Sequence, residues 1–334
     1  MTLSATGVSA SRSSPTHGAA DVPDTMHAFR IDRFGGPEAL ELQTVPVPRP
    51  GGGEVLVKVR ASSINPVDIK TRDGHYPLIR EDALPYTLGR DCAGSIAALG
   101  ESVSGWKPGQ EVYAFVGQGQ GTHAGYVIVN QGALARKPST LDHRLAGAVP
   151  LAALTAWQGL FEHGMLEAEE KVLIHAGSGG VGHFAAQFAK LKGAKVWVTA
   201  SGDGVGFVQS LGIDNVIDYK TQNFEDAVCD VDLVYDMVGG KTQERSWNVL
   251  RRGGRLVSTL NEPSQNKAGD HGATAMRYTA HPDGRALARI GELIDDGGVR
   301  VIVSGQYPFD ELPAALERVE RGHVHGKIVL HTMD

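Results

Sequence analysis

The stretch VLIHAGSGGVGHFAAQFAK, residues 172–190, decides the fold. Residues 171–175 are mostly apolar and read as a strand, and residues 181–192 carry apolar side chains at helical spacing. Between them stands Gly177-Ser178-Gly179-Gly180-Val181-Gly182, a G-x-G-x-x-G pattern in the strand-to-helix context it requires. Each glycine has its own task. Gly177 permits the tight turn. Gly179 omits the Cβ that would hold a pyrophosphate off the backbone, and Gly182 lets the helix pack close to the strand. The N–H groups of Gly177, Ser178, Gly179, Gly180 and Val181, with the positive end of the helix dipole, then offer a seat for phosphate. A plain glycine-rich connection is the other reading; the strand that follows favours a dinucleotide.

Outward from this loop, strands and helices alternate with short connections. Residues 195–199, 215–217, 232–236 and 255–260 read as strands, and residues 151–163, 205–211 and 243–250 as helices. Such alternation is the sequence form of a parallel, doubly wound α/β sheet. Residues 261–283 are polar and break the pattern, so a loop bordering a ligand site, able to act as a lid, is expected there. A helix over 286–295, a strand over 299–303, a helix over 311–321 and a strand over 327–331 close the chain.

Before Pro150 the pattern is different. Short runs at 54–59, 110–115 and 126–129 are separated by Pro50-Gly51-Gly52-Gly53 and Pro108-Gly109, and VLVKVRAS (55–62) alternates apolar with polar residues. A β-rich domain is expected, with the last strand of the chain returning to it. Residues 1–25, rich in Ser, Ala, Thr and Gly, bury too little to offset their ordering entropy and read as a disordered tail. They lack the apolar core of a secretory signal, although one Arg and several Ser also suit a transit segment.

Composition narrows the function. A chain of 334 residues suggests two domains at roughly 100–200 residues each. The net charge of -6 argues against a nucleic-acid partner. No run reaches the roughly 18 apolar residues of a membrane span. Cys92 and Cys229 are too few for a disulfide framework and fit a reducing, cytoplasmic setting, Cys92 as a plain buried thiol. The 13 histidines show no ligand spacing with cysteine, His323 and His325 read as a surface strand edge, and no metal is expected.

The strand after the glycine loop ends at Thr199-Ala200-Ser201. An NAD site usually has an acid there for the ribose 2′-hydroxyl. Ala200 and Ser201 leave room for a 2′-phosphate, with Ser201, Tyr219 and Lys220 as donors, so NADPH is the expected cofactor. Asp203 is the residue that would serve NAD instead, and no Arg or Lys stands between Ser201 and Gln209.

Several strings now fall into order: FGGPEALEL (34–42), SSINPVDIKTRDGHYP (62–77), LPYTLGRDCAG (84–94), LTAWQGL (154–160), VDLVYDMVGG (231–240), GGRLVS (253–258) and GHVHGKIVL (322–330). With the glycine loop they resemble the medium-chain dehydrogenase/reductase superfamily, and more closely its quinone oxidoreductase branch, over nearly all of 27–331. The resemblance implies a GroES-like β-rich domain from 26–148 and 286–334, a Rossmann domain from 149–285, a nicotinamide in the cleft between them, and a homodimer. Zinc-bearing relatives have Cys where Asn65 stands, His where Arg90 stands, and a four-cysteine lobe near 113–126. None of these is present, so a zinc-independent enzyme is expected.

By the same resemblance, Asn65, Asp68 and Tyr76 line the nicotinamide and substrate pocket. Asn65 is expected to donate its amide to a carbonyl oxygen, or to be a turn former before Pro66. Tyr76 would stack on a planar substrate or donate its phenol, or merely pack beside Pro77. Asp68 would fix the loop. Thr155 would hold the carboxamide, unless it is simply a helix-interior Thr. Val238 and Gly239 would pass the cofactor ribose, Leu260 and Asn261 would flank the nicotinamide, and Lys327 would lie near the carboxamide. The implied reaction is hydride transfer to a small-molecule quinone or α,β-unsaturated carbonyl compound, with Tyr76 or water as the proton source. A non-catalytic NADPH-binding structural or RNA-contacting protein, and an alcohol dehydrogenase-like enzyme, are the other readings. Turnover separates the first, and the missing zinc positions oppose the second.

Overall fold

The computed structural model describes residues 22–332. Eight strands come first: β1 (Thr25–Ile31), β2 (Leu40–Pro46), β3 (Glu54–Ile64), β4 (Tyr86–Thr87), β5 (Asp91–Leu99), β6 (Glu111–Phe115), β7 (Tyr126–Asn130) and β8 (Leu134–Arg136), with α1 (Pro66–Arg72) after β3. The alternation read in β3 sorts its faces: Val55, Val57 and Val59 are buried against Cys92, Ile96, Val112, Val127 and Val129, while Lys58 is exposed. Burial pushes the Cys92 thiol up to about 12, so it is an inert core group. Thr25 pairs with Pro46 and Val22 packs beside the Leu56 cluster. Residues 22–25 therefore belong to the fold and not to a tail; the rest of that expectation lies outside the described residues.

Two helices, α2 (His143–Gly147) and α3 (Pro150–Trp157), lead to the parallel sheet. The single helix expected over 151–163 changes to π geometry at Gln158–His163. The chain lies hard against the sheet there, since a Cβ added to Gly159 would stand 2.4 Å from Tyr235. Strands β9 (Lys171–Ile174), β10 (Lys195–Ala200), β11 (Asn215–Asp218), β12 (Val231–Asp236), β13 (Leu250–Ser258) and β14 (Thr274–Arg277) form one sheet in the order β11-β10-β9-β12-β13-β14. Every pairing in it is parallel. The connecting helices are α4 (Gly182–Leu191), α5 (Asp203–Ser210), α6 (Phe224–Ala227), α7 (Gly240–Ser246) and α8 (Gln265–His271). The central strands β9 and β12 bury Val172, Leu173, Ile174, Leu233, Val234 and Tyr235 completely, as strands covered on both faces must. Each such apolar side chain contributes about 1.5–3 kcal/mol. Strand order reverses between β9 and β12, and the glycine loop leaves β9 at that crevice.

The polar stretch expected as one loop over 261–283 contains α8 and β14. Ser264 accepts from the Lys267 amide at the start of α8, and Gly272, in the left-handed region at φ 57°, ends it. Only Ala268 of α8 is buried, so an otherwise polar helix shows no apolar stripe in sequence. The helix expected over 243–250 runs earlier, because Leu250 already pairs with Val231 in the sheet.

The chain closes with α9 (Gly284–Asp295), β15 (Val303–Pro308), α10 (Leu312–Glu320) and β16 (Lys327–His331). The strand expected over 299–303 begins only at Val303. Gln187 of α4 brackets the segment before it, donating to the Arg300 carbonyl and accepting from the Arg300 amide, which satisfies that backbone without a ladder. Strand β16 lies antiparallel to β3 over Ala61 to Ile64, beyond the half of β3 that pairs with β7. The β-rich sheet thus runs β15-β16-β3-β5-β6-β8 with β7 on β3, and β2-β1-β4 forms a smaller sheet.

Candidate active site

The glycine loop has the shape its pattern requires. A Cβ on Gly177 would stand 1.8 Å from Val198 Cγ1, and one on Gly182 would stand 2.2 Å from the Ala176 oxygen. On Gly179 the nearest atom would be 3.4 Å away, so that face of the loop is open. The amides of Gly177 and Gly179 are engaged internally, on Thr199 O and Ala176 O, both at close to 3 Å. The free donors at the start of α4 are therefore Ser178, Gly180 and Val181, and they fit a pyrophosphate.

Further along the same sheet edge, Ser201 Oγ donates to Tyr219 Oη at 2.8 Å, so the two hydroxyls converge at the ends of β10 and β11. Lys220 is exposed beside them, and Asp203 is exposed in the first turn of α5. Large apolar side chains left in solvent among the described residues include Tyr219 at 53%, Val238 at 46% and Leu260 at 39%. These three follow β11, β12 and β13, an apolar row on the edge where open α/β sheets take ligands. Gly239 (φ 73°) turns the chain there, with no room for a Cβ beside the Asn261 side chain.

A cavity of about 380 Å³ lies between this edge and the β-rich sheet. Asn65, Tyr76, Thr155, Val181 and Leu260 all line it. The expected residues Ser201, Tyr219, Val238, Gly239 and Asn261 are not in its walls; they stand just past the carboxyl ends of β10, β11, β12 and β13. Beneath the cavity is a buried polar network. Lys327 lays its stem over Gly180 and donates to Asn65 Oδ1 and, at 2.9 Å, to the Ile64 carbonyl. Asn65 Nδ2 donates to Asp91 Oδ2 at 2.7 Å, which also accepts from Ser63 Oγ. The other Asp91 oxygen accepts from the Leu151 amide. Both ends of the Asn65 amide are thus engaged within the protein, the oxygen by Lys327 and the nitrogen by Asp91.

Burial lowers the Lys327 pKa, with Asp91 and Asp68 opposing, and raises that of Asp91, with Lys327 opposing. Asp68 does fix its loop: it accepts from the Asn65 amide at 2.8 Å and the Gly89 amide at 3.2 Å, and burial raises it to about 6. His123, 3.9 Å from Asp68, is pushed down to about 3 by burial, so it is neutral and forms no ion pair. Thr155 directs its hydroxyl to Leu151 O, while its carbonyl accepts from Tyr235 and Tyr278. Tyr76 accepts from Gln118 Nε2 at 3.1 Å and stacks against Arg90, whose carbon lies 5.3 Å from the ring centre.

Comparison with known proteins gives this geometry a family. Residues 51–139 match the alcohol dehydrogenase GroES-like domain, and residues 211–330 match the zinc-binding dehydrogenase family. The mitochondrial NAD(P)H oxidoreductase RTN4IP1 of Homo sapiens is 33% identical, covering 92% of this chain and 89% of its own. The chloroplastic NADPH-dependent alkenal/one oxidoreductase of Arabidopsis thaliana is also 33% identical, over 99% of this chain and 86% of its own. The quinone oxidoreductase structure from Coxiella burnetii superposes with a TM-score of 0.86 at 32% identity, over 92% of this chain and all of that one. The chain belongs to the medium-chain dehydrogenase/reductase superfamily, in its quinone oxidoreductase-like branch.

Within this medium-chain reductase, several site residues escaped sequence reasoning. Lys70 on α1, with His75 and Gln118, lines the cavity, together with Arg277, Tyr278 and Thr279 from the polar stretch expected to border the site. Asp91 and Ser63 stood inside recognised strings, but their pairing with Asn65 is tertiary. His323 and His325 sit in the turn before β16 and not on a strand edge. The His325 ring lies 5.4 Å from that of Phe207 and crowds Gly204 beside Ser178. Among the described residues no three His, Cys, Asp or Glu side chains group as a metal site, and no helix is long and apolar enough to cross a membrane.

Proposed function

We propose that the protein is a zinc-independent, NADPH-dependent reductase of quinones or other α,β-unsaturated carbonyl compounds. One observation carries this reading: the glycine-loop residue Val181, with Thr155 and Leu260, shares a cavity with Asn65 and Tyr76. When bound, the reduced nicotinamide supplies hydride. The chain's residues do the rest. Ser178, Gly180 and Val181 hold the pyrophosphate, with Gly177 and Gly179 shaping the turn. Ser201 and Tyr219 take the 2′-phosphate. Val238, Gly239, Leu260 and Asn261 border the ribose and nicotinamide, and Thr155 stands at the carboxamide. Asn65 and Lys327 act as positioning residues that fix this wall, and Tyr76 or water returns the proton.

The β-rich part comprises 26–148 and 286–334, and the nucleotide-binding part 149–285. The hydrogen bonding of β16 to β3 supports this division, while α9, which starts at Gly284, favours a border at 283. The open edge of β14 supports a homodimer, and the unpaired Cys92 and Cys229 support a reducing, cytoplasmic setting. The test is NADPH oxidation, followed by absorbance, against benzoquinone, phenanthrenequinone, alkenals and octenone, with NADH in parallel. Turnover of any of these sustains the reading. Binding of NADPH without turnover of the whole panel overturns it in favour of a non-catalytic cofactor-binding protein.

A further inference from the structure

The cavity walls carry a charge pattern that a neutral enone or quinone does not explain. Lys70, His75, Arg90 and Arg277 line the cavity, and no Asp or Glu does. Lys70, His75 and Arg90 come from the β-rich side, and Arg277 from the end of β14, so basic groups flank the space from both walls. Lys70, His75 and Arg277 are exposed, and no hydrogen bond or ion pair within the described residues engages their side chains.

Arg90 is more telling. It is only 3% exposed, its guanidinium packed near Tyr76 and Tyr86. Nη1 donates to Gly117 O at 2.6 Å, but Nη2 is buried without a partner. An unsatisfied buried donor of this kind costs about 1–3 kcal/mol, and more when charged. The acids behind the wall do not relieve it. Asp68 feels the Arg90 charge but gives its oxygens to Asn65 and Gly89, and Asp91 is shared among Lys327, Asn65, Ser63 and Leu151. The phosphates of a dinucleotide have their own donors at the glycine loop and at Ser201 and Tyr219, and of those residues only Val181 reaches the cavity.

We infer that the acceptor carries a carboxylate at the end remote from its reducible bond, seated against Arg90 with Lys70, His75 and Arg277 around it. This rests on the reductase reading and names its substrate class. A carboxylate supplies the acceptor that Nη2 lacks, whereas a neutral acceptor leaves the basic wall unanswered.

The test compares a matched pair, 7-oxooct-5-enoate and its methyl ester, whose carboxyl end is separated from the enone by three methylenes, as acceptors for NADPH. The expected kcat/KM of the acid exceeds that of the ester by about tenfold at low ionic strength, and the gap narrows with salt. Arg277→Gln and Lys70→Gln, at exposed positions, should each cut the acid-to-ester ratio about threefold, and Arg90→Gln about tenfold. An ester turned over as well as the acid overturns the carboxylate seat while leaving the reductase reading intact. If neither compound nor the quinone panel oxidises NADPH, the reductase reading falls. Calorimetric titration of the saturated acid, 7-oxooctanoate, into the NADP-loaded protein then decides the seat. Binding that Arg277→Gln weakens sustains it, and the absence of binding overturns it.

Discussion

Lys327 and Asn65, 262 residues apart, are hydrogen-bonded: the ammonium on β16 donates to the amide oxygen just before α1. The bond buries a charge under the cavity and ties the end of the chain to its wall. Lys327→Met leaves Asn65 Oδ1 and Ile64 O unpaired and deprives Asp91 of its cation. Urea unfolding should show a loss of about 3–5 kcal/mol. Adding Asp91→Asn removes the uncompensated carboxylate and should restore at least about 1 kcal/mol. A double variant no more stable than Lys327→Met alone would sink this account.

The glycine loop separates folding from binding. A Cβ on Gly182 has no room, and Gly182→Ala should cost about 3 kcal/mol. A Cβ on Gly179 meets nothing closer than 3.4 Å, so Gly179→Ala should stay within about 0.5 kcal/mol of the parent. Its Kd for NADPH, read by fluorescence, should nevertheless rise at least about tenfold, since the methyl faces the ligand. Unchanged affinity would mean that no pyrophosphate approaches that face.

Cofactor choice should reside in two hydroxyls. Tyr219→Phe combined with Ser201→Ala removes the pair that meets at 2.8 Å. A lost hydrogen bond to a charged group is worth about 1.5–3 kcal/mol. The NADPH Kd should therefore rise about tenfold or more while the NADH Kd hardly moves. An equal loss for both cofactors would place the 2′-phosphate elsewhere.

Acid should destabilise the protein by a definite route. Burial lowers His123 to about 3 and His175 and His183 to about 4, from an ordinary 6.5. Between those values the unfolded chain binds protons that the folded one does not. Stability is thus complete above about pH 6.5 and falls as pH drops, by up to about 1.4 kcal/mol per unit for each histidine. Asp68 acts in the opposite sense. Raised to about 6, it keeps its proton in the folded state, and its contribution is lost as pH rises from 3.8 to about 6. In urea unfolding between pH 4.5 and 7 (about the window of these shifts), His183→Gln should flatten the profile and Asp68→Asn should steepen it. A His183→Gln slope equal to the parent's would rule out its burial as a neutral ring.

Much of the parallel sheet was legible because its signals are local. The loop at Gly177, the run of 231–236 and the helix behind Gly182 each carry their own period or turn residue. What was not legible depends on distant partners. Nothing near Gly159 announces the Tyr235 ring that lies against the π-helical turn, and nothing near Arg300 announces Gln187. In the site, the residue type at 65 was readable but its bonding was not. An Asn before a Pro looks ready to donate to a ligand until Asp91 and Lys327 arrive from two other strands.

The divided edge of β3 has a consequence during synthesis. Its first half finds β7 soon after it is made, but residues 61–64 must wait for β16, which begins 263 residues after Ile64. At about 5–20 residues per second, that delay lasts roughly ten to fifty seconds, with a row of amides and carbonyls open to any passing strand. The parallel sheet, complete at Arg277, can assemble within that interval. A nascent chain stalled shortly before Lys327 would hold a finished nucleotide-binding half beside an unfinished neighbour.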